Sequence, residues 1–141
     1  MNAGHFRFDI GTAGAIGLVL HTVHLPLALR AGGPSTVEVT GGTHVRQAPS
    51  LSFVDITWRS WMARLGIQVG IKVLKTGFFP RGGGHVTMTV QPAQAPRALE
   101  LPEPQAPGHT VSGFAAVAGL PEEIALRMAR RAEERLRAAG V

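Results

Sequence analysis

Two glycine-bearing stretches and six histidines hold the residue types from which chemistry can be built. One stretch, Gly77 to Val86, reads GFFPRGGGHV, and the other, Asp9 to Ala15, reads DIGTAGA. Glycine-rich loops bind phosphate when successive backbone N–H groups point at one spot, usually where a helix opens. GTAGA stands between an alternating apolar segment and a long apolar run, a strand–turn–helix arrangement in which free amides can meet an anion. A tight turn with close helix packing is the simpler reading of Gly11 and Gly14, because GTAG lacks the full dinucleotide or P-loop spacing. PRGGG lies between two strands, so Gly82 to Gly84 are expected to supply positive φ values in a hairpin. Arg81 beside them is either a phosphate contact or a solvated charge.

The histidines are His5, His21, His24, His44, His85 and His109. A zinc site needs three or four converging ligands. His21 and His24 sit three apart on an apolar segment with no third ligand at a recognised spacing, which favours buried or pocket-lining imidazoles over a metal site. No Ser/His/Asp set and no carboxylate pair follows from spacing. Trp58 and Trp61 fall on an apolar helical stripe and are expected in the core.

The bulk properties set the frame for these residues. A chain of 141 residues with 45% hydrophobic and 16% charged residues can bury a core and is not of disordered composition. The net charge of +5, from 14 Lys and Arg against 9 Asp and Glu, suits a polyanionic partner such as RNA or a nucleotide. The absence of cysteine excludes disulfides and cysteine metal sites, and fits a cytoplasmic protein. The most apolar run, Ala13 to Ala31, is interrupted by His21, His24 and Pro26 and ends beside Arg30, so it reads as a buried helix and not a membrane span or signal peptide.

The periodicity places the motifs on elements. Phe6, Phe8 and Ile10 alternate as a strand, and GTAG leads into the apolar helix, with Thr12 as its N-cap and Pro26 shortening or kinking its end. STVEVT is a second strand with Val37 and Val39 on one face, and Gly41 to Ser50 is a loop. Leu51, Val54, Trp58, Trp61 and Leu65 make a helical stripe, with Ser52 and Asp55 as a capping pair and Gly66 as the stop. Ile67 to Val73 and Val86 to Val90 form a hairpin around GFFPRGGG. The order β-α-β-α-β-β predicts a two-layer α+β sandwich over residues 1–92. A Pro- and Ala-rich linker occupies 93–108. Residues 109–141 then read as a β-α element: a strand of small residues from His109, then a helix opened by Pro121, Glu122 and Glu123. An element that ends at its own helix cannot close a sheet, so the chain reads as cut short, with 109–141 the beginning of an incomplete small domain.

FRFDIGTAGAIGLVLHT, VEVTGGTHVRQAP and GFFPRGGGHV, in this order and spacing, resemble the RNA 3'-terminal phosphate cyclase family. The resemblance covers nearly the whole chain, and three ordered motifs are far more specific than any one of them. It implies repeated β-α-β-α-β-β units like the C-terminal domain of translation initiation factor three, with a smaller thioredoxin-like domain inserted late. Residues 6–92 then correspond to the second repeat, and 109–141 to the start of the inserted domain.

The resemblance further implies a ligase chemistry in RNA processing. ATP and a divalent metal, magnesium or manganese, drive conversion of an RNA 3'-phosphate to a 2',3'-cyclic phosphate through an adenylylated histidine. Splitting the dehydration this way gives each step a good leaving group. None of the six histidines matches that nucleophile, so this chain is expected to be inactive alone, with no catalytic residue of its own. What carries over is part of the nucleotide pocket. His21 stands where the family commonly has glutamine, and Pro49 and Ser50 stand where it commonly has a Pro-Pro pair, one proline of which packs on adenine. Gly11, Thr12 and Gly14 complete the expected nucleotide-binding set. Expected partners are ATP and an RNA 3' end, with self-association through repeat faces that sister repeats otherwise cover. The alternatives are a non-catalytic RNA-binding or ribosome-biogenesis module of the same family, and a decayed or truncated reading frame.

Overall fold

The computed structural model describes residues 2–101 and 110–140. The chain divides into two compact units, residues 1–100 and 101–141. The first unit carries β1 (His5–Asp9), α1 (Ile16–Arg30), β2 (Ser35–Gly41), α2 (Leu51–Phe53), a π-helical stretch (Val54–Trp58), α3 (Arg59–Arg64), β3 (Val69–Lys75) and β4 (Gly84–Val90). The strands form one mixed sheet in the order β1-β2-β4-β3. β1 and β2 are parallel, and β4 runs antiparallel to both β2 and β3. This is the expected α+β arrangement, built in the expected order.

Alternation along the strands decides which face is buried. Phe6 pairs with Val37, Val37 with Met88 and Met88 with Ile71, so apolar side chains line one side in rows. Val37, Val39, Val86 and Met88 are fully buried there against Ile16, Leu20 and Leu27 of α1 and against Leu51 and Val54. The opposite face is polar: Arg7 pairs with Glu38, Glu38 with Thr87 and Thr87 with Lys72. Glu38 accepts a 2.7 Å bond from His85 Nε2, which, with Arg7 and His5 nearby, holds its carboxyl below the usual range.

Several local expectations are corrected. The α1 N-cap is Ala15 with no side-chain capping bond, so Thr12 does not cap; the chain instead enters α1 by bridging to β2 through Gly42. Pro26 lies inside α1, which continues to Arg30. Ser50 caps the next helical run by accepting from the Phe53 N–H at 3.2 Å, while Asp55 pairs with Arg59 one turn on. The Ser52–Asp55 capping pair is therefore off by two residues. The π-helical stretch inserts an extra residue into the turn, which rotates Trp61 off the core stripe. Trp61 is 39% exposed and is covered by the Arg64 guanidinium.

In the second unit, α4 (Glu122–Ala138) forms as expected, with Glu122 and Glu123 in its first turn and Arg135 and Arg137 in its last. The strand expected from His109 is not present over residues 110–119, and His109 itself lies outside the described residues. A strand exists only by pairing, and this segment has no partner strand among the described residues. Among the described residues no helix is long and apolar enough to cross a membrane.

Candidate functional site

Three motifs far apart in the chain meet at the end of the sheet where β1 and β2 finish and β4 begins. Gly41 of β2 pairs with Gly84 of β4, and Gly77 sits against both. A Cβ at Gly77 would collide with the Gly84 amide nitrogen and stand 2.6 Å from the Gly41 carbonyl oxygen. Gly82, at φ 68°, comes so close to the β1–α1 turn that a Cβ would lie 2.5 Å from the Thr12 carbonyl oxygen. The GGG stretch is thus a hairpin turn, with the expected positive φ at Gly82 and Gly83 but not at Gly84, which opens β4, and a buttress for GTAGA as well.

Thr43 fastens this junction. Its buried hydroxyl accepts from the Gly77 N–H at 2.9 Å and donates to the Gly77 carbonyl at 3.0 Å. Its third contact, 2.8 Å to His44 Nδ1, must then be donated by the imidazole, because the hydroxyl has one proton. That assigns the Nδ1–H tautomer to His44 and leaves Nε2 to accept from Ser52 Oγ at 3.2 Å. The ring stacks on Phe78 at 5.2 Å, and burial lowers its pKa.

GTAGA itself is partly committed. The Gly11 N–H donates to Asp9 Oδ1 at 3.0 Å, and Thr40 donates to the same oxygen at 2.6 Å. These bonds, Thr40 first, lower the Asp9 pKa. The Gly14 carbonyl accepts from Gly42, and the Ile16 N–H donates to the Gly42 carbonyl. Among the described residues no acceptor meets the amides of Thr12, Ala13 and Gly14, which precede a 15-residue helix.

His21, Pro49 and Ser50 lie along a second line, the seam between α1 and residues 51–64. Gly17 lets the chains close: a Cβ there would be 3.2 Å from the Pro49 carbonyl oxygen. One turn further along α1, His21 packs on Trp58 with ring centres 4.7 Å apart, and His24 packs edge-on to the same ring at 4.6 Å. His24 is 4% exposed, and its Nδ1 donates to the His21 carbonyl at 2.8 Å. The Nε2 atoms of both histidines are buried without a hydrogen-bond partner, and desolvation lowers both pKa values. Ser50 uses its hydroxyl as the helix cap.

The structure brings Gly11, Thr12 and Gly14 to the junction and His21, Pro49 and Ser50 to the seam, while sequence reasoning missed Thr43 as the fastener and Trp58 as the platform for two histidines. A TH pair after two glycines was the available signal for the first. For Trp58 there was none, since the π-helical stretch adds a residue to the turn and breaks the regular helical spacing. The open grooves along α4, lined by residues such as Arg127, Arg131 and Met128, contain none of the candidate nucleotide-binding residues read from the sequence.

Comparison with known proteins bears on all three motifs. The family model described as RNA 3'-terminal phosphate cyclase matches residues 1–133. The RNA 3'-terminal phosphate cyclase of Ectopseudomonas mendocina is 41% identical over 137 residues, covering 97% of this chain and 39% of that protein. That of Trichormus variabilis is 40% identical over 147 aligned positions, covering 100% of this chain and 42% of the relative. That of Salmonella enteritidis is 46% identical over 101 residues, 72% of this chain and 30% of its own length. The chain thus spans about two fifths of the length of the first two curated relatives. With the family model matching most of its length and all three glycine motifs meeting at one end of the sheet, the chain belongs to the RNA 3'-terminal phosphate cyclase family.

Proposed function

We propose that these residues form a nucleotide-side scaffold for ATP-dependent cyclisation of an RNA 3'-phosphate, without the histidine that takes the AMP. The observation that carries this reading is the row of unengaged amides at Thr12, Ala13 and Gly14, held in front of α1 by the Gly82 buttress. Amides opening a helix favour a phosphate. Pro49, at Gly17 in the adjacent seam, offers an apolar surface to a base, with His21 as wall rather than polar contact. The residues present do not make a site for a magnesium or manganese ion by themselves. Among the described residues no group of three His, Asp or Glu side chains is arranged to hold a metal ion, and Asp9 and Glu38 are held by hydroxyl and imidazole donors.

Four of the described histidines are held or enclosed, which supports the non-nucleophilic role. His44 is fixed by Thr43 and Ser52, His85 by Glu38, and the Nε2 atoms of His21 and His24 are enclosed. A cytoplasmic setting and RNA 3' ends as partners belong to the same reading, with self-association through exposed apolar faces.

Calorimetric titration should show ATP binding in a 1:1 ratio that inorganic phosphate competes for, weakened several-fold by Pro49→Ala. Incubation with labelled ATP should leave no covalent AMP on the chain, and an adduct would overturn the scaffold assignment. Salt-sensitive RNA binding with no ATP binding would instead establish the non-catalytic RNA-binding module.

A further inference from the structure

One aromatic ring at the junction is left unused by the fold. The Gly82 N–H donates to the Phe78 carbonyl at 2.7 Å, closing a turn whose tip is Phe79, Pro80 and Arg81. The base of this turn is fixed on two sides. The Gly77 carbonyl accepts from the amides of Thr43 and His44, and Gly82 abuts the Thr12 carbonyl. Phe78 stacks on His44 at 5.2 Å. Phe79 is 73% exposed, more than any other large apolar side chain described, and meets no aromatic ring among the described residues. An open ring beside a cation on a held turn is the arrangement on which unpaired nucleobases stack.

We propose that Phe79 is a stacking platform for an unpaired base near the 3' end of an RNA strand, with Arg81 contacting a phosphate of that strand. The proposal rests on the nucleotide-scaffold reading, since it brings the RNA to the end of the sheet where the Thr12, Ala13 and Gly14 amides stand unengaged. Phe79 is three residues from Gly82, so its backbone lies within about 11 Å of the glycine that touches the β1–α1 turn. Every base has a π face, so the site selects a single strand and tolerates its sequence. Arg81 is exposed and makes no ion pair among the described residues, which leaves its charge to a phosphate. With a net charge of +5 on the chain and Arg81 beside the ring, a polyanion complements this tip better than a second, equally basic copy does.

The test follows, by fluorescence anisotropy, binding of the whole chain to a 5'-labelled single-stranded RNA that ends in a 3'-phosphate, with no nucleotide present. Phe79→Ala should weaken binding about tenfold, and Phe79→Trp should retain it. Phe79→Ile, apolar but without a ring, should behave as the alanine variant. The same RNA lacking the bases of its 3'-terminal nucleotides should lose a similar factor against the unsubstituted chain and nothing further against Phe79→Ala. Arg81→Gln should reduce the salt slope by about one. Equal affinity in Phe79→Ala, full affinity in Phe79→Ile, indifference to the missing bases or an unchanged salt slope in Arg81→Gln would each overturn the proposal. So would a chain that binds no RNA, or a loss in Phe79→Ala that tracks a fall in sedimenting mass, which assigns the ring to a second copy. ATP titration of the unsubstituted chain decides the nucleotide reading separately, so the two failures are told apart.

Discussion

At the scale of single residues, Thr43 and the α1 histidines set the behaviour of the junction and the seam. Thr43 satisfies both main-chain groups of Gly77 with one hydroxyl. Thr43→Ala strands the buried Gly77 N–H, while the Gly77 carbonyl keeps the Thr43 N–H at 2.8 Å, so it should cost about 1–3 kcal/mol, read as a lower urea midpoint. Thr43→Ser keeps the hydroxyl and should recover most of that loss. His21 and His24 have folded pKa values below the unfolded reference of about 6.5, because burial disfavours the imidazolium. The unfolded chain therefore binds more protons below that pH, and stability must fall as pH drops from about 6.5 toward 5 and stay level above it. Thermal unfolding across pH 5 to 8 checks the sign. His21→Gln with His24→Asn should flatten the acid slope, and an unchanged slope would place the linkage elsewhere.

At the scale of elements, the β3–β4 connection is both a hairpin turn and the support for the β1–α1 turn. Gly82 and Gly83 share left-handed φ values of 68° and 71°, but only Gly82 faces the Thr12 carbonyl. Gly83→Ala should cost only the backbone strain, about 1–2 kcal/mol. Gly82→Ala adds a steric clash with main chain that cannot rotate away, and should cost at least about 3 kcal/mol. Equal urea midpoints for the two variants would refute the buttress. The glycine pattern made the hairpin legible in the sequence, because the flanking strands alternate cleanly. The buttress was not legible, since it joins positions about seventy residues apart. The π-helical stretch was hidden for another reason: a stripe read at regular helical spacing assigned both tryptophans to the core, and one extra residue per turn separated them.

At the scale of the whole molecule, the first unit exposes an unusual set of large apolar side chains. Phe79 is 73% exposed, Ile56 58% and Leu18 49%. Solvated apolar area on this scale drives association. Sedimentation velocity should show an average mass that rises with concentration, and Phe79→Ser combined with Ile56→Glu should lower it. A strictly monomeric chain at all concentrations would contradict the proposed self-association.

The amino-acid sequence by itself determined the element order, the buried sheet face and the family, because these rest on periodicity and on short motifs read locally. Strand alternation and turn glycines need no knowledge of distant neighbours. The tertiary structure decided which hydroxyl locks the junction, which glycine supports which loop, and that two histidines share one tryptophan with their Nε2 atoms enclosed. It also decided that residues 110–119 form no strand, since strand formation depends on a partner and not on the propensity of the segment. Each of these depends on contacts between residues distant in the chain, which only the packed fold brings within reach.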